Sequence, residues 1–249
     1  MGWIYLGFAL TDLDSLHAAE ENYRQAQKYL PDNPFILSFH GLSLNRLGRD
    51  DEALRVFEKA LAIDDKNLNA LVSYGVTLNR LNKNTEAIEV FERTLAVDST
   101  NLTALTSLGM LYDQLRQYEK CDSLYELALK RYPDNDLLMN NYSYSLSERG
   151  IRLSYALELA KKAVEAQPEN GAYLDTIGWI YYKMGQYDLA LKFIKSSLDN
   201  REESAVVVEH LGDVYLKLGY PQEAKIYWKR ALQLDIDNEE LKSKIEMLD

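Results

Sequence analysis

The sequence predicts an all-α solenoid in which similar helix pairs stack one after another. Three observations predict this fold. Glycines recur with a spacing of 34 residues, and an alanine follows most of them twelve positions later. Each unit also holds two stretches of about 12 residues with helical apolar periodicity. Because one helix pair cannot bury its apolar face alone, we expect neighbouring pairs to share a continuous core.

The repeat register rests on four recurring positions. The glycine position reads Gly7, Gly41, Gly75, Gly109, Ser143, Gly178 and Gly212. The alanine position reads Ala19, Ala53, Ala87, Cys121, Ala156, Ala190 and Ala224. A bulky position follows, with Tyr23, Phe57, Phe91, Tyr125, Ala160, Ile194 and Trp228. A small position comes next, with Ala26, Ala60, Thr94, Ala128, Ala163, Ser197 and Ala231. We expect the small residues to allow close helix approach and the bulky residue to fill the space between the helices.

This register divides the chain into seven repeats and a capping helix, and predicts one solenoid over residues 1–249. The repeats span approximately 1–33, 34–67, 68–101, 102–135, 136–170, 171–204 and 205–238. Within repeats two and three, polar turns at 48–50 and 82–84 separate the two predicted helices. In residues 239–249 the apolar Leu241 and Ile245 lie four apart among charged residues, which fits a short capping helix.

With this period and these positions, the sequence resembles the tetratricopeptide repeat (TPR) family. The first repeat carries the residues of the family pattern, namely Trp3, Leu6, Gly7, Leu10, Ala19, Tyr23, Ala26 and Pro31. The resemblance covers residues 1–238 and implies a right-handed superhelical solenoid of helix-turn-helix TPR pairs. It also implies that the first helix of each pair lines a concave groove.

The groove positions implied by the resemblance predict a binding surface. The position after the glycine reads Phe8, Leu42, Val76, Met110, Tyr144, Trp179 and Asp213. Six of these seven residues are large and apolar, and clustered apolar surface commonly marks a partner site. The alternative is that tight curvature covers these side chains with neighbouring first helices.

Two further features predict groove residues. The segment Leu44–Leu47 recurs one repeat later as Leu78–Leu81, with the sequence Leu-Asn-Arg-Leu. Asn45 and Asn79 could pair with a peptide backbone, and Arg46 and Arg80 could hold a carboxylate. The alternative is a structural role, because a basic residue is common at this arginine position in the family. Lys183 and Lys217 occupy the same position in repeats six and seven.

Repeats five and six are rich in aromatic residues. Tyr144, Trp179 and Tyr182 are predicted to face the groove, where aromatic residues are favoured interface anchors. One extra residue near Gly150 lengthens the turn of repeat five, so this region is the expected place for a pocket. The stretch 168–182 is similar to the C-terminal repeats of bacterial envelope-associated TPR proteins.

Charge and composition argue against several functional classes. The net charge is −11, from 39 acidic and 28 basic residues, and no part of the chain is basic, so nucleic-acid binding is not expected. The longest apolar stretch, Trp3–Leu10, is eight residues long and no basic segment precedes it. We therefore expect no membrane insertion and no signal peptide in this chain, and either a cytoplasmic or a periplasmic location.

The chemistry-bearing residues predict neither catalysis nor a metal or cofactor site. Cys121 is the single cysteine and occupies the alanine position, where it should pack as a small buried residue with no His or Asp beside it. His17 is expected in a turn, and His40 between helices with one ring nitrogen satisfied. No P-loop, nucleophile elbow or dinucleotide-binding glycine motif is present.

The sequence therefore predicts a non-catalytic scaffold that binds a peptide or protein surface in its groove. One alternative is a structural unit that self-assembles into a homo-oligomer through the first repeat. That repeat begins inside its first helix without a capping residue, which would leave Met1, Trp3, Ile4 and Phe8 poorly covered. Another alternative is an interaction or regulatory domain cut from a larger protein.

Overall fold

The structure, a computed structural model, describes residues 6, 7, 9, 10, 15–200 and 203–248. Over these residues it is all-α, as predicted, without a β-strand. The predictions made for Met1, Trp3, Ile4 and Phe8 lie outside the described residues. His17 was expected in a turn, but this is wrong, because it is the second residue of the first fully described helix.

Fourteen helices, α1 to α14, follow one another within the described part of the chain. They are α1 (Leu16–Tyr29), α2 (Pro34–Arg46), α3 (Asp50–Ile63), α4 (Leu68–Arg80), α5 (Asn84–Val97), α6 (Leu102–Gln114), α7 (Tyr118–Arg131), α8 (Asp136–Glu148), α9 (Leu153–Ala166), α10 (Gly171–Lys183), α11 (Tyr187–Asp199), α12 (Ala205–Lys217), α13 (Pro221–Leu234) and α14 (Glu239–Glu246). Leu6, Gly7, Ala9 and Leu10 are also helical. From α2 to α13, each predicted repeat supplies one first helix and one second helix.

The helices form two compact units, residues 1–128 and 129–249. In the first unit, α2 packs on α3 and α4 packs on α5, while α1, α3 and α5 each contact the first helix that follows. In the second unit, α8, α10 and α12 pack on their partners α9, α11 and α13. There, α10 also contacts α8 and α12, so the first helices are neighbours.

The core of each pair forms around the glycine and bulky positions. A β-carbon added at Gly75 would lie 2.7 Å from Cε1 of Phe91, so only glycine permits this approach. Repeat five departs from the pattern at both positions together. It has Ser143 in place of glycine and Ala160 in place of the bulky residue, and both are buried. The smaller partner leaves room for the serine side chain, whose Oγ donates to the carbonyl of Asn140 at 2.8 Å.

An asparagine side chain caps most of the first helices. In the second unit, Asn135 caps α8, Asn170 caps α10 and Asn238 caps α14, each accepting from backbone N–H groups of the first turn. Ser204 does the same for α12. These caps satisfy N–H groups that a helix start otherwise leaves without partners. They lie about one repeat apart, and therefore fix where each first helix begins.

The turn of repeat five carries the inserted residue that the sequence predicts. Gly150 has a φ of 66°, and the following turn residues are Ile151 and Arg152. Arg152 lies in the left-handed region with a φ of 49°, immediately before α9. Its guanidinium stacks 4.7 Å from the Tyr155 ring and donates to the hydroxyl of Tyr142 at 3.0 Å. These contacts hold an otherwise unfavourable backbone conformation.

The predicted capping helix is confirmed as α14. Leu241 and Ile245 are its buried residues, and they join Val208 and Trp228 in one apolar cluster. The remaining side chains of α14 are mostly charged, which suits a helix that ends a repeat array.

Candidate functional site

The second unit contains a pocket of about 580 Å³. Its walls come from the first helices α8, α10 and α12 together with α14, and Trp228 of α13 also lines it. Three of the predicted groove residues, Tyr144, Trp179 and Tyr182, line it, and so does Lys183. The structure therefore brings these three aromatic residues of repeats five and six together in one cavity. Its volume lies in the range of pockets that bind small molecules or a few side chains of a peptide.

Trp179 forms an inner surface of this pocket. Its ring stacks on Tyr182 at 4.5 Å between centroids and on His210 at 3.8 Å. Its Nε1 donates to a carboxylate oxygen of Glu148. Only 7% of Trp179 is exposed, because the following repeat covers it through His210. The sequence left open whether neighbouring first helices cover the groove positions. At Trp179 the structure shows that they do.

A buried hydrogen-bond contact holds His210 in place. Nδ1 of His210 lies 3.0 Å from Oδ1 of Asp175, and both residues are less than a tenth exposed. Because the carboxylate fixes the imidazole, the stack of His210 on Trp179 has a defined geometry. This contact joins α10 to α12, and therefore stabilises the pocket before any ligand enters.

The exposed wall of the pocket combines apolar and basic side chains. Val206 is 48% exposed and Leu216 is 37% exposed, and both come from α12. Lys217 ends the same helix, and Lys183 ends α10, where its Nζ lies 4.8 Å from the centre of the Trp179 ring. Cations at helix C-termini are favoured by the helix dipole, so these lysines also have a structural role.

Tyr182 is half-buried between the aromatic stack and the charged end of the pocket. The pKa of Tyr182 is raised to about 12, chiefly by burial and also by the nearby charge of Asp213, while the ammonium of Lys244 acts in the opposite direction. The hydroxyl therefore stays protonated at neutral pH and can donate a hydrogen bond to a ligand.

The charged end of the pocket is organised around Lys244 of α14. Its Nζ lies 2.6 Å from Oε1 of Glu209 and 3.0 Å from Oδ2 of Asp213. Nε1 of Trp228 donates to Oδ1 of Asp213 at 2.8 Å. Burial lowers the pKa of Lys244, but the hydrogen bonds and charges of the two carboxylates outweigh it and leave the pKa raised. Sequence reasoning missed this cluster, because the repeat register does not show which side chains of α12 and α14 come into contact.

The predicted groove residues of the first unit take two different roles. Asn45 is buried, donates from Nδ2 to Oγ1 of Thr77 at 2.6 Å, and accepts from Nη2 of Arg80 at 3.2 Å. Arg80 also pairs with Asp50. Asn45 and Arg80 thus join repeats two and three, and their polar atoms already have partners within the protein. For these two residues of the Leu-Asn-Arg-Leu segments, the contacts fit the structural role that the sequence left open as the alternative.

The other predicted residues of the first unit remain at the surface. Val76 and Met110 are exposed apolar side chains, and Arg46 is exposed as well. Leu42 and Asn79 are half-buried. The pocket described above includes none of these five residues, because it lies wholly in the second unit.

The predicted structural role of Cys121 holds in part. The thiol is fully buried at the alanine position, as expected. The expectation that no aspartate lies beside it is wrong, because Oδ1 of Asp113 is 4.0 Å from Sγ.

His40 is also more constrained than expected. Both ring nitrogens have partners, Nδ1 with Gln27 and Nε2 with Glu20 at 3.2 Å.

Among the residues that the structure describes, no group of three or more His, Cys, Asp or Glu side chains is placed to hold a metal ion. None of the helices found there combines the length and apolar composition needed to cross a bilayer.

Four family models match the chain, and all describe tetratricopeptide repeats. Three are general tetratricopeptide repeat models, which match residues 9–67, 172–203 and 207–238. The fourth describes the N-terminal TPR repeats region of Psidin and matches residues 70–150. A TPR repeat-containing protein of Pseudomonas aeruginosa is 39% identical over 59 residues, which cover 24% of this chain and 10% of that relative. The similarity thus spans only a small part of that protein.

Solved structures with the same fold extend over most of the chain. A tetratricopeptide repeat protein from Parabacteroides merdae has a TM-score of 0.78 and 20% identity, covering 99% of this chain and 97% of that one. YrrB, described as a TPR protein with an unusual peptide-binding site, has a TM-score of 0.59 and 18% identity. That likeness covers 75% of this chain and 95% of YrrB. At these identities the likeness concerns the fold.

Proposed function

We propose that this chain, which belongs to the tetratricopeptide repeat family, binds a segment of a partner protein in the pocket lined by α8, α10, α12 and α14. The observation that carries the proposal is the pocket itself. It combines a stacked aromatic surface at Trp179 and Tyr182 with the exposed apolar side chains of Val206 and Leu216. An apolar side chain of a partner can bury surface there without a large rearrangement, because the aromatic stack is already formed.

Polar groups around this apolar surface would orient the partner segment. The Tyr182 hydroxyl can donate, and the ammonium groups of Lys183 and Lys217 can bind carbonyl or carboxylate oxygens. Tyr144 adds a half-buried aromatic side chain on the α8 side. This arrangement of a desolvated aromatic centre with a polar rim is typical of protein interaction sites.

The fold and its relatives support the same class of function. Tetratricopeptide repeats are commonly protein-interaction scaffolds, and the fold is generally non-catalytic. YrrB carries a peptide-binding site according to its description. We extend the proposal to the absence of catalysis in this chain, to a peptide or protein partner and to a single solenoid over residues 1–249. Self-assembly through the first repeat, and an origin in a larger protein, stay predictions.

The proposal is tested with two substitutions on the exposed wall of the pocket. Peptides are first selected from a random display library on the immobilised wild-type chain, and their dissociation constants are measured by fluorescence anisotropy. The Val206→Glu/Leu216→Glu variant should weaken binding at least about tenfold, a loss of about 1.4 kcal/mol, because two carboxylates then line the apolar wall. Both side chains are exposed, so the fold should be retained.

The matched control is Ile226→Glu. Ile226 is 64% exposed on the second helix α13, and it places a carboxylate on the same unit outside the pocket. This variant should bind the selected peptides as the wild type does. Equal affinity for the wild type and the pocket variant, with both folded by circular dichroism, would exclude the pocket as the binding site.

A further inference from the structure

Three residues around the junction of repeats six and seven have equivalents 34 positions later. Asp175, Trp179 and His210 correspond in this way to Glu209, Asp213 and Lys244. In each set, the last residue lies on the next first helix or on the capping helix, and its side chain contacts the other two residues. His210 contacts Asp175 and Trp179, and Lys244 contacts Glu209 and Asp213. The capping helix α14 therefore repeats the geometry of a junction between two repeats.

The two junctions differ in how firmly they are closed. His210 is stacked on an indole and buried, and α12 carries six buried residues of its own. Lys244 is 19% exposed at its side chain and lines the pocket. It reaches this position from a helix of eight residues with two buried side chains. A short helix with so little buried apolar surface opens at low free-energy cost.

The site around Lys244 has the chemistry of a cation-binding subsite. Two carboxylates of α12 face one ammonium group, which also lies 3.8 Å from Oε1 of the exposed Glu240 on its own helix. The ring of Trp228 lies 5.8 Å from the same Nζ. The subsite opens directly into the pocket proposed to take a partner segment. A lysine of that segment would meet the same carboxylates that now bind Lys244.

We propose that Glu209 and Asp213 form a subsite for a lysine side chain of the partner, which Lys244 fills from within the chain until the partner displaces it. The proposal rests on the proposed function, and it specifies which side chain the charged end of the pocket takes. Displacement of Lys244 removes the ion pairs that hold α14 on the pocket, so binding loosens this helix.

An intramolecular lysine competes strongly because it is tethered close to its site. Its effective concentration is of millimolar order, and a partner lysine has to overcome this. Lys244 therefore lowers the apparent affinity for a lysine-bearing segment. Removing its ammonium while keeping an apolar stem should raise that affinity.

The probe is a pair of peptides. One is selected from a display library with a fixed central lysine, and the other has norleucine at that position. The Lys244→Met variant should bind the lysine peptide at least about tenfold more tightly than the wild type does, and it should bind the norleucine peptide without this gain. The matched control, Lys242→Met, removes a lysine of the same helix that pairs with Glu239 away from the pocket.

A second measurement uses the wild-type chain and does not depend on the variant. Hydrogen exchange of the amides in 239–246 should rise when the lysine peptide binds, and should stay unchanged or fall with the norleucine peptide. A purely structural role of Lys244 predicts no difference between the two peptides. It also predicts that Lys244→Met weakens or leaves unchanged the binding of both.

The outcomes separate this inference from the function it rests on. If the lysine peptide binds the wild type, Lys244→Met and Lys242→Met equally, and exchange of α14 is unchanged, the subsite is overturned while peptide binding stands. If neither peptide binds, or if binding is insensitive to Val206→Glu/Leu216→Glu, the pocket itself is overturned and the lysine subsite with it.

Discussion

In repeats two to seven, the turn between the two helices has a residue in the left-handed backbone conformation at the same position. The turn between the two helices of repeats two to seven has glycine at Gly48, Gly150, Gly185 and Gly219, all with positive φ. Asn82 and Arg116 occupy the equivalent position in repeats three and four, each with a φ of 57°. Asparagine tolerates this region better than most residues, whereas arginine has no local interaction that favours it. Arg116 is therefore the least suited residue at this position.

Replacing Arg116 with glycine should stabilise the protein. The left-handed conformation costs a residue with a β-carbon about 1–2 kcal/mol, and glycine loses part of that gain through its greater freedom when unfolded. We expect Arg116→Gly to raise the free energy of unfolding by up to about 1 kcal/mol, measured by urea titration. The reverse change, Gly48→Ala, should lower it, and its added β-carbon meets no atom within 4 Å. A destabilised Arg116→Gly variant would show that the arginine side chain contributes more than its backbone strain costs.

The sequence predicted the residue positions that depend on the repeat alone. The glycine, alanine, bulky and small positions are buried as expected, including Cys121 at an alanine position. In repeat five, the sequence showed two exceptions to the repeat pattern, Ser143 at the glycine position and Ala160 at the bulky position. Their physical link, a smaller partner that leaves space for a serine, required the distance between the two helices.

At the scale of the helix, the asparagine caps show what the repeat register could still have provided. Asn33, Asn67 and Asn101 cap α2, α4 and α6 at the same spacing of 34 residues that defines the glycine position. The signal was present in the sequence, since an asparagine before an apolar-periodic stretch is a helix start signal. The capping helix was predicted correctly, because the spacing of Leu241 and Ile245 needs only the helical period.

His40 joins two helices, and the stability that it contributes should depend on pH. It lies on α2 and contacts Glu20 and Gln27 of α1. Burial lowers the pKa of His40 below its usual value of 6.5, and the nearby Glu20 only partly opposes this. The unfolded chain therefore takes up a proton at a higher pH than the folded chain does. The stability that His40 contributes is fully present above pH 6.5 and is lost as the pH falls towards its folded pKa.

The His40→Leu variant tests this dependence, and it copies Leu108, the residue at the same position of repeat four. The free energy of unfolding of the wild type should fall between about pH 7.5 and pH 5, and the fall should be smaller in the variant. Urea titrations followed by circular dichroism at a series of pH values measure both slopes. His17→Leu, at an exposed histidine of α1, is the control and should keep the wild-type slope. Identical slopes in all three proteins would contradict a role for His40.

At the scale of the whole molecule, the pocket depends on contacts between repeats that the sequence did not specify. Tyr144, Trp179 and Tyr182 were predicted to lie near one another, since each position follows from the register. The register did not indicate that His210 would cover Trp179, or that Lys244 would bind Glu209 and Asp213. Both contacts need the lateral distance between successive first helices, which depends on how the side chains between them pack.

The most direct test of peptide binding in this pocket is site-specific photo-crosslinking. A selected peptide carrying a photoreactive apolar residue is irradiated on the wild-type chain, and the crosslinked residues are identified by mass spectrometry. The proposed function predicts crosslinks at Tyr144, Tyr182, Val206 and Leu216, on the first helices of repeats five to seven. Crosslinks confined to second helices, or to residues 15–128, would contradict it.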